Sequence, residues 1–346
     1  MPSSALLALT LAAPLSLPVR VEITELADST RGGRPVQVMI WSPASKGGPP
    51  ATVRDLAVEP FDSGGRGGAR AVEQLRARLA EAGPVTDAQL QSLLDVVVMA
   101  SFGAPAASGP FPLVLLTGGL NSPAWLHFRR AELLAAAGYV VATPASVGLK
   151  PGEKLSFDAS GLGVQVADEL CALAHLEGWP RVRRDRVALV AWSVSGLTAA
   201  ALATRRPEVR AVVSLDSGLS YGYGDDLLSA IDPSALSGMT TPLLQFLATR
   251  PARFKVPRSA RFFDARKPGS WELTVADLSH PELTDALGAG APQATDEDRQ
   301  RIARAAVSVD RALRQFLDQH LKGGPPVNKA FLEALPGVST VRESGR

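Results

Sequence analysis

The sequence predicts an α/β domain, with a mostly parallel central sheet, helices on both faces and a helical insertion ahead of the first central parallel strand. Three observations carry that reading. After Pro110 the chain repeats a cycle of apolar β-rich run, small-residue turn and helical pattern, and strands that alternate with helices pair in parallel. The 346 residues are 46% apolar, enough to bury one large core. No period of 20 to 50 residues runs along the chain, so a solenoid is not expected.

The elements follow in order. The opening MPSSALLALTLAAPLSLPVR holds an apolar run over 5–17 that is too short to span a bilayer and has the length of a signal-peptide core. No Lys or Arg precedes it, and Pro14 follows the Ala12-Ala13 pair where a small-residue cleavage site belongs. Residues 1–18 are therefore either an export segment, which would make the protein secreted or periplasmic, or a frayed terminus or strand of a cytoplasmic one. Residues 19–24 and 35–41 alternate in polarity and read as a hairpin. From 47 to 109 the pattern changes to a Gly- and Pro-rich loop (FDSGGRGGAR) and two helices, over 69–82 and 86–99. The second carries Leu93, Leu94, Val96, Val97 and Val98, which need burial, a pocket to cover, or a partner or lipid surface; burial is the simplest.

Beyond Pro110, FPLVLLTGG leads to WLHFRRAELLAAAG, and YVVATPAS leads through a loop to a helix over 164–177. VALVAWS leads to GLTAAALATRR, AVVSLDSG to a short helical stretch, and TPLLQFLA to an irregular segment and SWELTVAD. A long helix over 296–321 closes the chain. One catalytic domain over 19–346, with 47–109 as an insertion, is the expected organisation.

Composition narrows the function. The 36 basic and 34 acidic residues are scattered, with no basic block to follow a phosphate backbone, so nucleic acid is not an expected partner. Cys171 is the only cysteine, which leaves no intrachain disulfide and no Cys/His metal spacing. No metal, cofactor or transmembrane segment is expected.

In such sheets ligands sit at the carboxyl ends of the strands, so the chemistry is sought in the turns. VALVAWSVSG places Ser193 and Ser195 in one of them. A nucleophile on a sharp strand-to-helix elbow needs small residues two before and two after it, because the backbones come close there. Ser193 has Ala191 and Ser195 at those places and Gly196 just beyond, whereas Ser195 would put Leu197 in the crowded position. Ser193 is the candidate nucleophile, although Ala and Ser replace the two glycines of G-x-S-x-G; the competing reading is an ordinary strand-helix turn.

A serine hydroxyl needs a base within hydrogen-bond reach, and there are four histidines. His127, His175 and His320 fall in helical patterns. His280, in DLSHPEL, follows the last strand-like run, where the order Ser, acid, His places the base. The acid should fix the imidazole tautomer. Asp216 ends AVVSLDSG, on the strand directly after that of Ser193, while the later Asp264, in FFDARK, lies in an irregular segment; Asp225 and Asp226 suit the start of a helix. For the oxyanion hole, the Val194 N–H follows the nucleophile, and the turn LLTGGLN offers Gly119, with Leu120 as the one-residue alternative.

With these residues assembled, the chain resembles the platelet-activating factor acetylhydrolase and dienelactone-hydrolase-like branch of the α/β hydrolases, from about Val36 to His320. The resemblance rests on FPLVLLTGGL, GYVVATPAS, AWSVSG, LDSG and LSHPEL. Thr117-Gly118 stands where that branch often has His-Gly, and Ser193 where dienelactone hydrolases have cysteine. The family implies the α/β-hydrolase fold, an acid after the strand that follows the nucleophile, and hydrolysis of esters, from acetyl groups on phospholipids to small or polymeric esters.

The expected activity is cleavage of short or medium acyl carboxylic esters, small-molecule or lipid, through an acyl-enzyme on Ser193, His280 and Asp216. Two alternatives stand beside it. A peptidase or amidase on the same triad would be separated by matched ester and amide substrates. A non-catalytic binding protein of the same fold would fail to react with a fluorophosphonate.

Overall fold

The computed structural model describes residues 17–60, 65–80, 83–148, 150, 152–249, 256–285, 288, 291 and 294–345. Residues 1–16 of the candidate export segment lie outside the described residues, as does part of the FDSGGRGGAR loop. Ten strands form one sheet: β1 (Val19–Asp28), β2 (Arg34–Pro43), β3 (Ala100–Phe102), β4 (Phe111–Thr117), β5 (Val140–Pro144), β6 (Val182–Trp192), β7 (Val209–Leu215), β8 (Leu243–Ala248), β9 (Trp271–Val275) and β10 (Val338–Glu343). Their order is β10-β9-β8-β7-β6-β4-β5-β2-β1-β3. From β5 through β9 all neighbours are parallel, and the β1–β2 hairpin joins β5 antiparallel.

The helices are α1 (Val53–Leu56), α2 (Ala69–Ala80), α3 (Asp87–Leu94), α4 (Phe128–Ala136), α5 (Ala159–Glu177), α6 (Ser195–Arg205), α7 (Gly222–Ile231), α8 (Ala235–Gly238), α9 (Arg261–Asp264), α10 (Asp296–Leu317) and α11 (Lys329–Glu333). None of the described helices is long and apolar enough to cross a membrane. Because side chains alternate along a strand, each central strand feeds two cores. Val114 and Leu116 of β4 join α4 and α10 through Leu134, Leu313 and Phe316. Leu113 and Leu115 join α5 and α6 through Leu173 and Leu202 on the other face. This doubly covered sheet explains why the central strands read as continuous apolar runs.

Several elements depart from the sequence reading, among them the short strand β3 inside the 47–109 stretch. α3 stops at Leu94 rather than at 99: Asp95 caps it, and the β-branched Val96-Val97-Val98 run extends instead, Val98 N–H bonding to the Ala51 carbonyl and the Val96 carbonyl accepting from Val53. Leu93, Leu94 and Val98 are buried as expected, while Val97 is exposed. α5 begins five residues earlier than predicted, at Ala159, where Asp158 caps it by accepting from Gly161 N–H. After α10 the chain does not end; it adds α11 and then β10, antiparallel to β9. β10 is an edge strand with no fully buried residue, so its sequence, VSTVRE, lacks the apolar signal that marks the others.

Candidate active site

The carboxyl ends of β4, β6 and β7 are adjacent, and each ends in a turn that carries a predicted site residue. Ser193 follows β6 with φ of 60°, a left-handed conformation that costs a non-glycine residue on the order of 1–2 kcal/mol. The neighbours hold it there: its N–H reaches the Leu215 carbonyl and its own carbonyl accepts from Gly218 N–H. Glycine is required at 196, because a Cβ there would lie 2.0 Å from Ser217 Oγ. Asp216 leaves β7 in a second left-handed turn, with φ of 46°, its N–H bonded to the Phe246 carbonyl of β8. His280 lies in the loop after β9, at the start of a 3-10 turn over Pro281–Leu283.

These three side chains meet. His280 Nε2 is 3.0 Å from Ser193 Oγ, and His280 Nδ1 is 2.8 Å from Asp216 Oδ2. The carboxylate is 1% exposed, the imidazole 23%. Burial works to raise the Asp216 carboxyl, but the His280 hydrogen bond and the Arg258 guanidinium outweigh it and hold the group below its ordinary value. Asp264 is elsewhere, in an exposed ion pair with Arg342. Asp225 lies in the first turn of α7, near Arg261.

The β4 turn closes on the elbow. A Cβ on Gly119 would stand 3.0 Å from Ser193 Cβ and 3.1 Å from the Trp192 ring, tighter than side-chain contacts normally are, so glycine lets this turn approach the elbow without displacing its neighbours. Among the described residues no acceptor takes the N–H of Gly119, Leu120 or Val194, which leaves those donors free for a ligand oxygen. Ser195 is fully buried and ties the two turns together: its hydroxyl donates to the Gly118 carbonyl and accepts from Gln165 Nε2 at 2.6 Å. Asn121, itself at φ of 62°, clamps the loop before α5 through both ends of its amide, accepting from Leu155 N–H at 2.7 Å and donating to the Leu155 carbonyl at 3.0 Å.

Residues that sequence reasoning missed hold the histidine. The Trp192 ring stacks on His280 at 4.7 Å, and its indole N–H donates to the His280 carbonyl at 3.0 Å. Arg130 of α4 donates to the Leu283 carbonyl at 3.0 Å and to Asp310 of α10 at 2.9 Å, while its own N–H reaches Asp285. Arg301 pairs with Glu282 at 2.7 Å. His127, expected on a helix face, sits buried at the N-cap position of α4 without a side-chain capping bond, its ring 3.2 Å from Arg130 and edge-on to Trp192. Burial first, then the Arg130 charge, push its pKa well down, so it is neutral. The aromatic next to Ser193 was the only one of these with a sequence signal, its place at the end of the elbow strand.

Strand order, elbow and doubly covered sheet together define the α/β-hydrolase fold. In agreement, the chain superposes on a ferulic acid esterase from Streptomyces cinnamoneus with a TM-score of 0.64 and 20% identity, over 96% of this chain and 98% of that one. No protein-family profile matches the sequence, and no curated protein does.

Proposed function

We propose that the protein is a serine hydrolase that cleaves carboxylic esters. The observation that carries the reading is the continuous relay from Asp216 through His280 to Ser193, at 2.8 and 3.0 Å, with the serine on a left-handed elbow. Ser193 Oγ attacks the ester carbonyl while His280 Nε2 takes its proton. The oxyanion that forms accepts hydrogen bonds from the N–H groups of Val194 and Gly119. His280 then protonates the leaving alcohol, with Asp216 holding the tautomer and balancing the imidazolium. Water, activated by the same histidine, cleaves the acyl-enzyme, and none of these steps calls for a cofactor.

The preferred substrates are small-molecule or lipid esters of short or medium acyl chains, and the single domain over 19–346 with its 47–109 insertion is the catalytic unit. A neighbour in fold that is named a ferulic acid esterase supports ester cleavage as the chemistry. The acetylhydrolase and dienelactone-hydrolase-like branch is the proposed relationship, on the place of Asp216 after the strand that follows the nucleophile. The test is kcat/KM over p-nitrophenyl esters from acetyl to palmitoyl, with methyl ferulate and a matched anilide beside them. Highest values at the short and medium chains support the proposal. A preference for the anilide would make the enzyme an amidase, and turnover confined to long chains at a lipid interface would overturn the acyl preference.

A further inference from the structure

The Asp216 carboxylate receives more donors than a triad needs. Oδ2 accepts from His280 Nδ1 at 2.8 Å and from the Tyr221 hydroxyl at 3.0 Å. Oδ1 accepts from Ala248 N–H at 3.1 Å and lies 2.7 Å from Arg258 Nη2. Arg258 is held firmly for a side chain that is 38% exposed. Its Nη1 donates to Ser220 Oγ at 2.9 Å, its Nη2 also donates to the Ala248 carbonyl at 2.8 Å, and the guanidinium lies 4.3 Å from the centre of the Tyr221 ring. Each contact restricts the fork to the orientation that meets the carboxylate.

We propose that Arg258 is a positioning residue of the triad: it keeps the Asp216 carboxylate turned toward His280 and offsets its charge, so that His280 gives up its proton at lower pH than an Asp-His pair without the arginine would. This rests on the reading of Ser193, His280 and Asp216 as a triad. A fixed cation beside the acid opposes a second positive charge on the imidazole and leaves the carboxylate less able to stabilise it. Both effects have the same sign, and both extend the working range of the base toward acid.

The other groups facing His280 do not supply that charge. Tyr221 and, beyond it, Tyr223 of α7 have their hydroxyls pushed up by burial and by Asp216, and so stay neutral. Trp192 and Ser193 of the elbow carry no charge, and His127 behind Trp192 is neutral. Arg130 in the same quarter is engaged by Asp310 and Asp285. On the histidine's own loop Glu282 is paired with Arg301 of α10, which also binds Asp298.

The test is an NMR titration of the imidazoles in the full chain, with the His280 signals assigned by their loss in His280→Gln. Arg258→Gln and Arg258→Met should each raise the His280 midpoint by about one pH unit, and Arg258→Lys, which keeps the charge, should bring it back toward the wild type. The acid limb of kcat/KM on a short-acyl ester should move with it. An unmoved midpoint in the Gln and Met variants overturns the proposal, as does a Lys variant that behaves like Gln, or a uniform loss of activity with the acid limb in place. The titration requires no turnover, so it decides the role of Arg258 even if no ester is cleaved; failure of the hydrolase reading would show separately, as absence of covalent labelling at Ser193.

Discussion

Ser193 and Ser195 are two residues apart and chemically identical, yet their surroundings give them different work. Ser193 is partly exposed at φ of 60°, facing His280, whereas Ser195 is fully buried and spends its hydroxyl on the Gly118 carbonyl. Ser195→Ala should therefore keep covalent labelling but lose about tenfold in turnover, the worth of one hydrogen bond that steadies the oxyanion turn; a complete loss of labelling in that variant would count against the assignment. Asp216→Asn should lose on the order of 10⁴ in kcat, because the amide stabilises the wrong histidine tautomer. Asp264→Asn should be silent, since Asp264 meets only Arg342 on the surface. Comparing the two variants on one substrate checks this. The places of Ser193 and Asp216 directly after strands, and of His280 in the loop after β9, were legible in the sequence because the apolar strand runs before them are recognisable; that the three act together is the proposal. The contacts of Trp192, Arg130 and Arg258 were not: Trp192 is marked only by its place before Ser193, and neither an aromatic nor an arginine carries a sign of which distant carbonyl or carboxylate it will meet.

Elements place these residues, and two of them give sharp tests. α6 starts against the β7 turn so closely that Gly196→Ala would set a methyl 2.0 Å from Ser217 Oγ. The variant should lose about 2 kcal/mol of stability or more from overpacking, read as the midpoint of a urea melt. Arg130 of α4 joins the His280 loop to α10, so Arg130→Met leaves Asp310 only its longer contact with Arg129 at 3.5 Å and frees the Leu283 carbonyl. Breaking a buried pair in this way should cost about 3 kcal/mol and should lower kcat more than it raises KM. The central strands β4 to β8 were legible because both of their faces are buried. The end of α3 and the existence of β10 were not, the first because Val96, Val97 and Val98 fit either a buried helix or an extended segment, the second because an exposed edge strand needs few apolar residues.

Across the whole molecule, buried carboxyls make stability depend on pH. Burial raises Glu132 to about 8 and Glu169 to about 8, from an ordinary value of 4.5. A carboxyl raised in the folded state favours folding below its unfolded value, and that contribution is lost as pH climbs to the folded one. Below the ordinary histidine value of 6.5 the buried His127 and His320, whose pKa values are held down, act in the opposite direction, so the melting temperature should fall chiefly between about pH 6.5 and pH 8. The carboxyls held low, Asp216 and Asp298, have already ionised below this window and do not contribute to the slope. Glu132→Gln keeps the acceptor for Ala100 N–H and should flatten the fall, gaining on the order of 2 kcal/mol at pH 8; an unchanged slope would mean that the group ionises inside the fold. The central claim, that Ser193 is a nucleophile activated by His280, is tested most directly by intact-mass spectrometry after exposure to a fluorophosphonate. The wild-type chain should gain one adduct, located on the peptide that contains Ser193, and both Ser193→Ala and His280→Gln should gain none at the same exposure. An unmodified wild-type chain, or an adduct that persists when Ser193 is replaced, would contradict it.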